Sequence, residues 1–202
     1  MKQKYVGLLV VGSYVILRML GDVYFWSKIN PYFSYVFEIL FVTAVMFLYR
    51  QQRPWFLLPQ KKDIFLSLFL LVAGSMTYLL AGTLGMGVPY DLDSSTTIFF
   101  LLLVAPILEE LIFRVALWEG IKAISEQALL AIVGSTLLFS LGHLVAYWVV
   151  PSSIQPFVLY QSLYVIPLSL IISYRRHYAG SVVPAMLIHF GFNFGFLLAS
   201  KI

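Results

Sequence analysis

Three short stretches of the chain carry residues able to do chemistry. The first holds Glu109, Glu110 and Arg114. Glu110 and Arg114 are four residues apart, so on a helix they share a face and can pair. Glu109 lies about 100° around the same helix. One carboxylate is then held by the arginine and the other is free to point elsewhere. The second stretch holds Phe139 and His143, and the third His189 and Asn193, again four apart. Each has a plainer reading: an ion pair that orients a helix, a hydrogen-bonded packing histidine, two polar groups that glue helices together. Against the first, a single Glu–Arg pair needs no second glutamate, and an adjacent one adds a large burial cost. Two carboxylates, two imidazoles and an amide together supply a general base, a proton shuttle and oxyanion donors. They could also bind a metal such as zinc, with Glu109, His143 and His189 as the ligand set. Neither HExxH nor GxSxG occurs. The absence of cysteine excludes a thiol nucleophile, thiolate metal ligands and disulfides.

The elements that must position these residues are membrane helices. The 202 residues are 61% hydrophobic and only 11% charged, with mean hydropathy +0.91, whereas a soluble domain carries about 25% charged residues. A helix crossing the bilayer needs about 20 residues. Seven apolar spans fit the pattern: 5–26, 32–49, 64–82, 96–118, 127–149, 154–174 and 179–200. With the N-terminus in the cytoplasm, Lys2, Lys4, Arg50, Arg53, Lys61, Lys62, Lys122, Arg175 and Arg176 fall inside, and only Lys28 and Lys201 outside. That asymmetry is the positive-inside pattern. The basic residues therefore read as topology signals, with no nucleic-acid surface. Trp26, Trp55, Trp118 and Trp148 fall at span ends, where interfacial anchors belong. The expected fold is an all-α, polytopic helix bundle of about seven transmembrane helices, N-terminus in and C-terminus out. It sits in the cell membrane with the lipid bilayer as its solvent. Residues 1–95 form an N-terminal three-span region and residues 96–202 the part that holds all three stretches.

In order and approximate spacing the three stretches resemble the motifs of the CPBP family, the type II CAAX prenyl endopeptidases and their bacteriocin-processing relatives. Those motifs are two glutamates, three residues and arginine; phenylalanine, three residues and histidine; and histidine, three residues and asparagine. The resemblance covers roughly residues 96–200. One departure is Val115, where many relatives carry glycine directly after the arginine. The resemblance implies proteolysis of membrane-associated peptides or proteins, prenylated CAAX termini being one class. It implies that Glu109 and His143 activate water, that His189 and Asn193 stabilise the oxyanion, and that Glu110 and Arg114 hold the helix of the first glutamate. The family is often labelled a metalloprotease. The metal-free form is preferred here, since Glu109 is then free to act as base. Two competing readings are a non-catalytic immunity or scaffold protein of the same fold and a proton-coupled transporter.

Depth poses a difficulty. Counted from the cytoplasmic span ends, Glu109 and His189 lie about ten residues in, or ~15 Å, and His143 about sixteen, or ~24 Å. Elsewhere, Arg18 and Glu38 are placed to pair across the first hairpin, and His177 is expected to be solvated in a basic turn. Asp91 and Asp93 belong to a solvated loop, and Tyr147 is one turn beyond His143. Pro106 and Pro184 are expected to kink the spans they share with the motifs. Gly191 and Gly195 form a close-packing surface.

Overall fold

A computed structural model describes residues 2–21, 33–49 and 55–202. Among these the chain is all helix and turn, with no strand. Helix α1 runs through Lys2–Ser13 and continues as a wide, π-type stretch over Tyr14–Leu20. Helix α2 is Phe33–Leu48 and α3 is Lys61–Thr83. Helix α4 covers residues 95–125 and contains two wide stretches, Phe100–Val104 and Leu111–Leu117. Helix α5 is Ala128–Leu144, prolonged by a tight turn over Val145–Trp148; α6 is Gln155–Ala179 and α7 is Val183–Ala199. The helices follow the seven apolar stretches in order. Four of them, over Gln3–Leu20, Lys61–Thr83, Ala128–Trp148 and Gln155–Ala179, are long and apolar enough to cross a membrane. Leu9, Leu58, Phe65, Phe69, Leu129 and Leu163 all point outward. An apolar exterior of this kind suits a lipid surround.

Small residues let the helices approach closely, as packing in lipid requires. A Cβ built on Gly195 would run into the Leu71 carbonyl, and one on Gly191 into Ser67. The α3 serines bond across the same seam, Ser67 to Leu187 O at 2.9 Å and Ser75 to Gly195 O at 2.9 Å. The α3–α7 seam therefore fixes the helix that carries His189 and Asn193. Gly195→Leu is expected to cost at least the ~1–3 kcal/mol of an overpacked core. Thermal unfolding in detergent, read beside the same residue change at open Gly82, checks this. Between α5 and α6 hydroxyls bond across the seam, Ser169 Oγ donating to Thr136 Oγ1 at 3.1 Å and Ser140 Oγ to the Ser162 carbonyl at 2.7 Å.

Three expectations need correction. Arg175, Arg176 and His177 form no turn: α6 continues to Ala179 and stops at Gly180, whose φ of 66° lies in the left-handed region. Both arginines are buried, and His177 is half-buried with its ring on Trp118. Arg175 pairs with Asp63 and Arg176 with Glu119, because helical burial demands partners. Trp118 and Trp55 are likewise buried, and Trp148 alone of the described tryptophans is exposed; Trp26 lies outside the described residues. Pro184 occupies the first turn of α7 and kinks nothing, since its missing N–H is an orphan there in any case. Arg18 and Glu38 do meet, at 2.6 Å. Asp93 extends into solvent and pairs with Lys201.

Candidate active site

The site is built where α4 meets α7. Glu110 and Arg114 are fully buried on α4, and Arg114 Nε donates to Glu110 Oε2 at 2.9 Å. The other Glu110 oxygen, Oε1, faces His189 Nδ1 at 2.8 Å. A carboxylate beside an arginine accepts only, so the ring N–H is at Nδ1 and His189 turns Nε2 the other way. There Nε2 meets Glu109 Oε2 at 3.8 Å. Glu109 keeps 29% side-chain exposure, against none for Glu110. The adjacent glutamates are thus divided as their angular separation requires: one bridges Arg114 and His189, and its neighbour is partly exposed with only a long contact to His189.

Asn193, one turn beyond His189, is held by a backbone irregularity that the sequence creates. Ala105 N–H bonds to Phe100 O, five residues back, in the first wide stretch of α4. The next donor in that pattern is Pro106, which has no N–H. Leu101 O is left without a helical partner, and Asn193 Nδ2 donates to it at 2.8 Å. One hydrogen of the amide nitrogen remains for a ligand.

His143 stands one ring away. Its Nδ1 donates to Phe139 O at 2.9 Å; a carbonyl only accepts, so the neutral ring presents a lone pair at Nε2. The Phe139 ring lies 4.6 Å from His143 and 6.0 Å from His189, with the Arg114 guanidinium over its face at 5.1 Å. Phe139, one turn before His143, therefore stands at the level of α7's histidine. Glu109, Glu110, Arg114 and His189 form one connected group. Asn193 extends it by one turn, and His143 joins through Phe139. Among the described residues no three His, Asp or Glu side chains stand together as a preformed metal-ligand cluster. Tyr147 rests its ring on Trp148.

Two groups beside this site escape a motif search. Tyr90, in the connection before α4, shares hydrogen bonds of 3.1 and 3.2 Å with Gln161 of α6. Burial pushes its phenol up to about 12, with the Glu109 charge adding to the effect, so its hydroxyl keeps its proton at working pH. Arg176 donates to Arg114 O at 3.0 Å and to Glu119 Oε1 at 2.9 Å. Reading α6 through to Gly180, the first residue able to stop it, would have drawn attention to Arg176. Nothing in the local sequence marks Tyr90.

A family model described as Type II CAAX prenyl endopeptidase Rce1-like matches residues 91–195, a stretch that contains all six residues of the site. No curated protein and no solved structure matches the chain.

Proposed function

The chain belongs to the Rce1-like family of type II CAAX prenyl endopeptidases, and from that premise we propose that it cleaves membrane-associated peptides or proteins by a water that Glu109 and His143 activate within the bundle. The observation that carries this is the division of the two glutamates. Glu110 has both oxygens engaged, and Glu109, the next residue, remains open and faces His189 Nε2 at 3.8 Å. A base must be unengaged and within reach of its proton.

In this mechanism the Glu109 carboxylate takes a proton from water as its oxygen attacks the scissile carbonyl, and His143 Nε2 accepts a hydrogen bond from the same water and orients it. The developing oxyanion receives hydrogen bonds from the free Asn193 N–H and from His189. With Nδ1–H directed to Glu110, His189 donates through Nε2 only as imidazolium, a charge flanked by both glutamates. The C–N bond then breaks, and the proton taken from water passes to the leaving amine. Glu110 and Arg114 do no proton transfer; they fix the His189 ring. The bundle is a membrane protein, and we place its N-terminus in the cytoplasm. Lys4 pairs with Glu126 at one end, near Lys122 in sequence, and Lys201 pairs with Asp93 elsewhere.

The test uses purified protein in proteoliposomes and internally quenched peptides ending in a CAAX tetrapeptide, with and without a farnesylated cysteine. Cleavage by the wild type is expected, and its loss in Glu109→Ala and His189→Ala. A wild type that cuts no peptide, together with variants that keep the cellular phenotype, would sink the reading. Prior dialysis against a metal chelator is expected to leave the rate unchanged; a rate lost on dialysis and restored by zinc would replace the metal-free chemistry.

A further inference from the structure

We infer that Arg176 of α6 is a positioning residue for the active site, acting through the backbone of α4. The second wide stretch of α4, Leu111–Leu117, contains Arg114. Trp118 N–H, the ordinary helical donor to the Arg114 carbonyl, bonds instead to Val115 O. Arg176 Nε supplies a donor to that carbonyl from another helix, at 3.0 Å. The guanidinium is then fixed on two further sides. Nη2 bonds Glu119 Oε1 at 2.9 Å, and Cζ lies over the Trp118 ring, 4.6 Å from its centroid. Arg176 and Trp118 are fully buried, and Glu119 nearly so.

This clamp sits on the backbone of the residue whose side chain holds Glu110. The chain of contacts runs from Arg176 to Arg114 O, from Arg114 Nε to Glu110, and from Glu110 to His189 Nδ1. A wide, π-type stretch inside an α-helix is rare and recurs at functional sites. Here its register is set by a side chain from outside the helix. The adjacent arginine serves as an internal comparison. Arg175 is also buried and paired, but with Asp63 of α3, and it bonds nothing on α4. One arginine ties α6 to the scaffold and the other ties it to the catalytic helix.

Replacing a buried ion pair by apolar residues often preserves folding. The experiment therefore compares Arg176→Leu/Glu119→Leu with Arg175→Leu/Asp63→Leu, using the farnesylated CAAX peptide. The first is expected to lower kcat by about 10²-fold, the effect of a displaced catalytic group, with KM nearly unchanged. The second is expected to leave kcat unchanged. Arg176→Lys, which keeps the charge beside Glu119 but lacks the fork that reaches both acceptors, is expected to lose part of the rate. Full rate in Arg176→Lys, or equal losses in the two double variants, overturns the proposal. The inference rests on the endopeptidase reading only for its kinetic arm. In this cysteine-free chain, spin labels at Ile107→Cys and Leu198→Cys report the α4–α7 separation directly. A broadened distance distribution in Arg176→Leu/Glu119→Leu, and none in Arg175→Leu/Asp63→Leu, supports the inference even where the wild type cleaves no peptide. An unchanged distribution in both overturns it.

Discussion

Glu109→Gln is expected to lower kcat by about 10²–10⁴-fold, the span that a general base contributes, while the unfolding midpoint in detergent stays at the wild-type value. The two halves of this expectation have one cause. Glu109 is the partly exposed member of the glutamate pair, and its contact with His189 is long, at 3.8 Å. An amide of the same shape forfeits little structure there, because no short hydrogen bond depends on the charge. It forfeits the basicity entirely. KM is expected to change little, since a group that acts on water contributes mainly to the transition state. A variant that keeps a tenth or more of wild-type kcat would show that Glu109 is not the base.

What the sequence reveals and what it conceals divide along a physical line. The pairing of Glu110 with Arg114, and the freedom of Glu109, follow from helical periodicity, which local sequence carries. The helices themselves follow from apolar run length. Contacts between distant helices are different. That Glu110 would also take His189 Nδ1 depends on how α4 and α7 pack; Gly191 and Gly195 announce a close-packed face on α7, but not that α3 is the helix seated on it. The burial of Arg175 and Arg176 is hidden for a related reason. Two adjacent arginines suggest a solvated turn, yet burial is decided by the acids opposite, Asp63 and Glu119, one on each of two other helices. What faces Phe139, one turn before His143, depends likewise on how α5 and α7 pack. The wide stretches of α4 are the least legible feature. Pro106 hints at one of them, and nothing local marks the other.

The second large effect belongs to Glu110. Glu110→Gln or Arg114→Leu is expected to destabilise the protein by about 3–5 kcal/mol, the cost of leaving a buried charge without its partner. That corresponds to a fall of roughly 10 °C in unfolding midpoint for a chain of this size. Both side chains have no exposed surface, so water cannot replace the lost partner. Cleavage is expected to fall as well, because the acceptor at His189 Nδ1 loses its charge in Glu110→Gln and its Arg114 anchor in Arg114→Leu. Stability and activity then separate in the double variant Glu110→Leu/Arg114→Leu. Removing both charges together takes away the uncompensated one, and the midpoint is expected to recover most of its loss. The rate is not expected to recover, since a leucine cannot accept from His189 Nδ1. Thermal unfolding and kcat, measured on the three variants in one detergent, decide the matter. A double variant that regains both stability and cleavage would reduce Glu110 and Arg114 to a packing pair. One that regains stability alone leaves Glu110 as the residue that orients His189, with Glu109 beside it as the base.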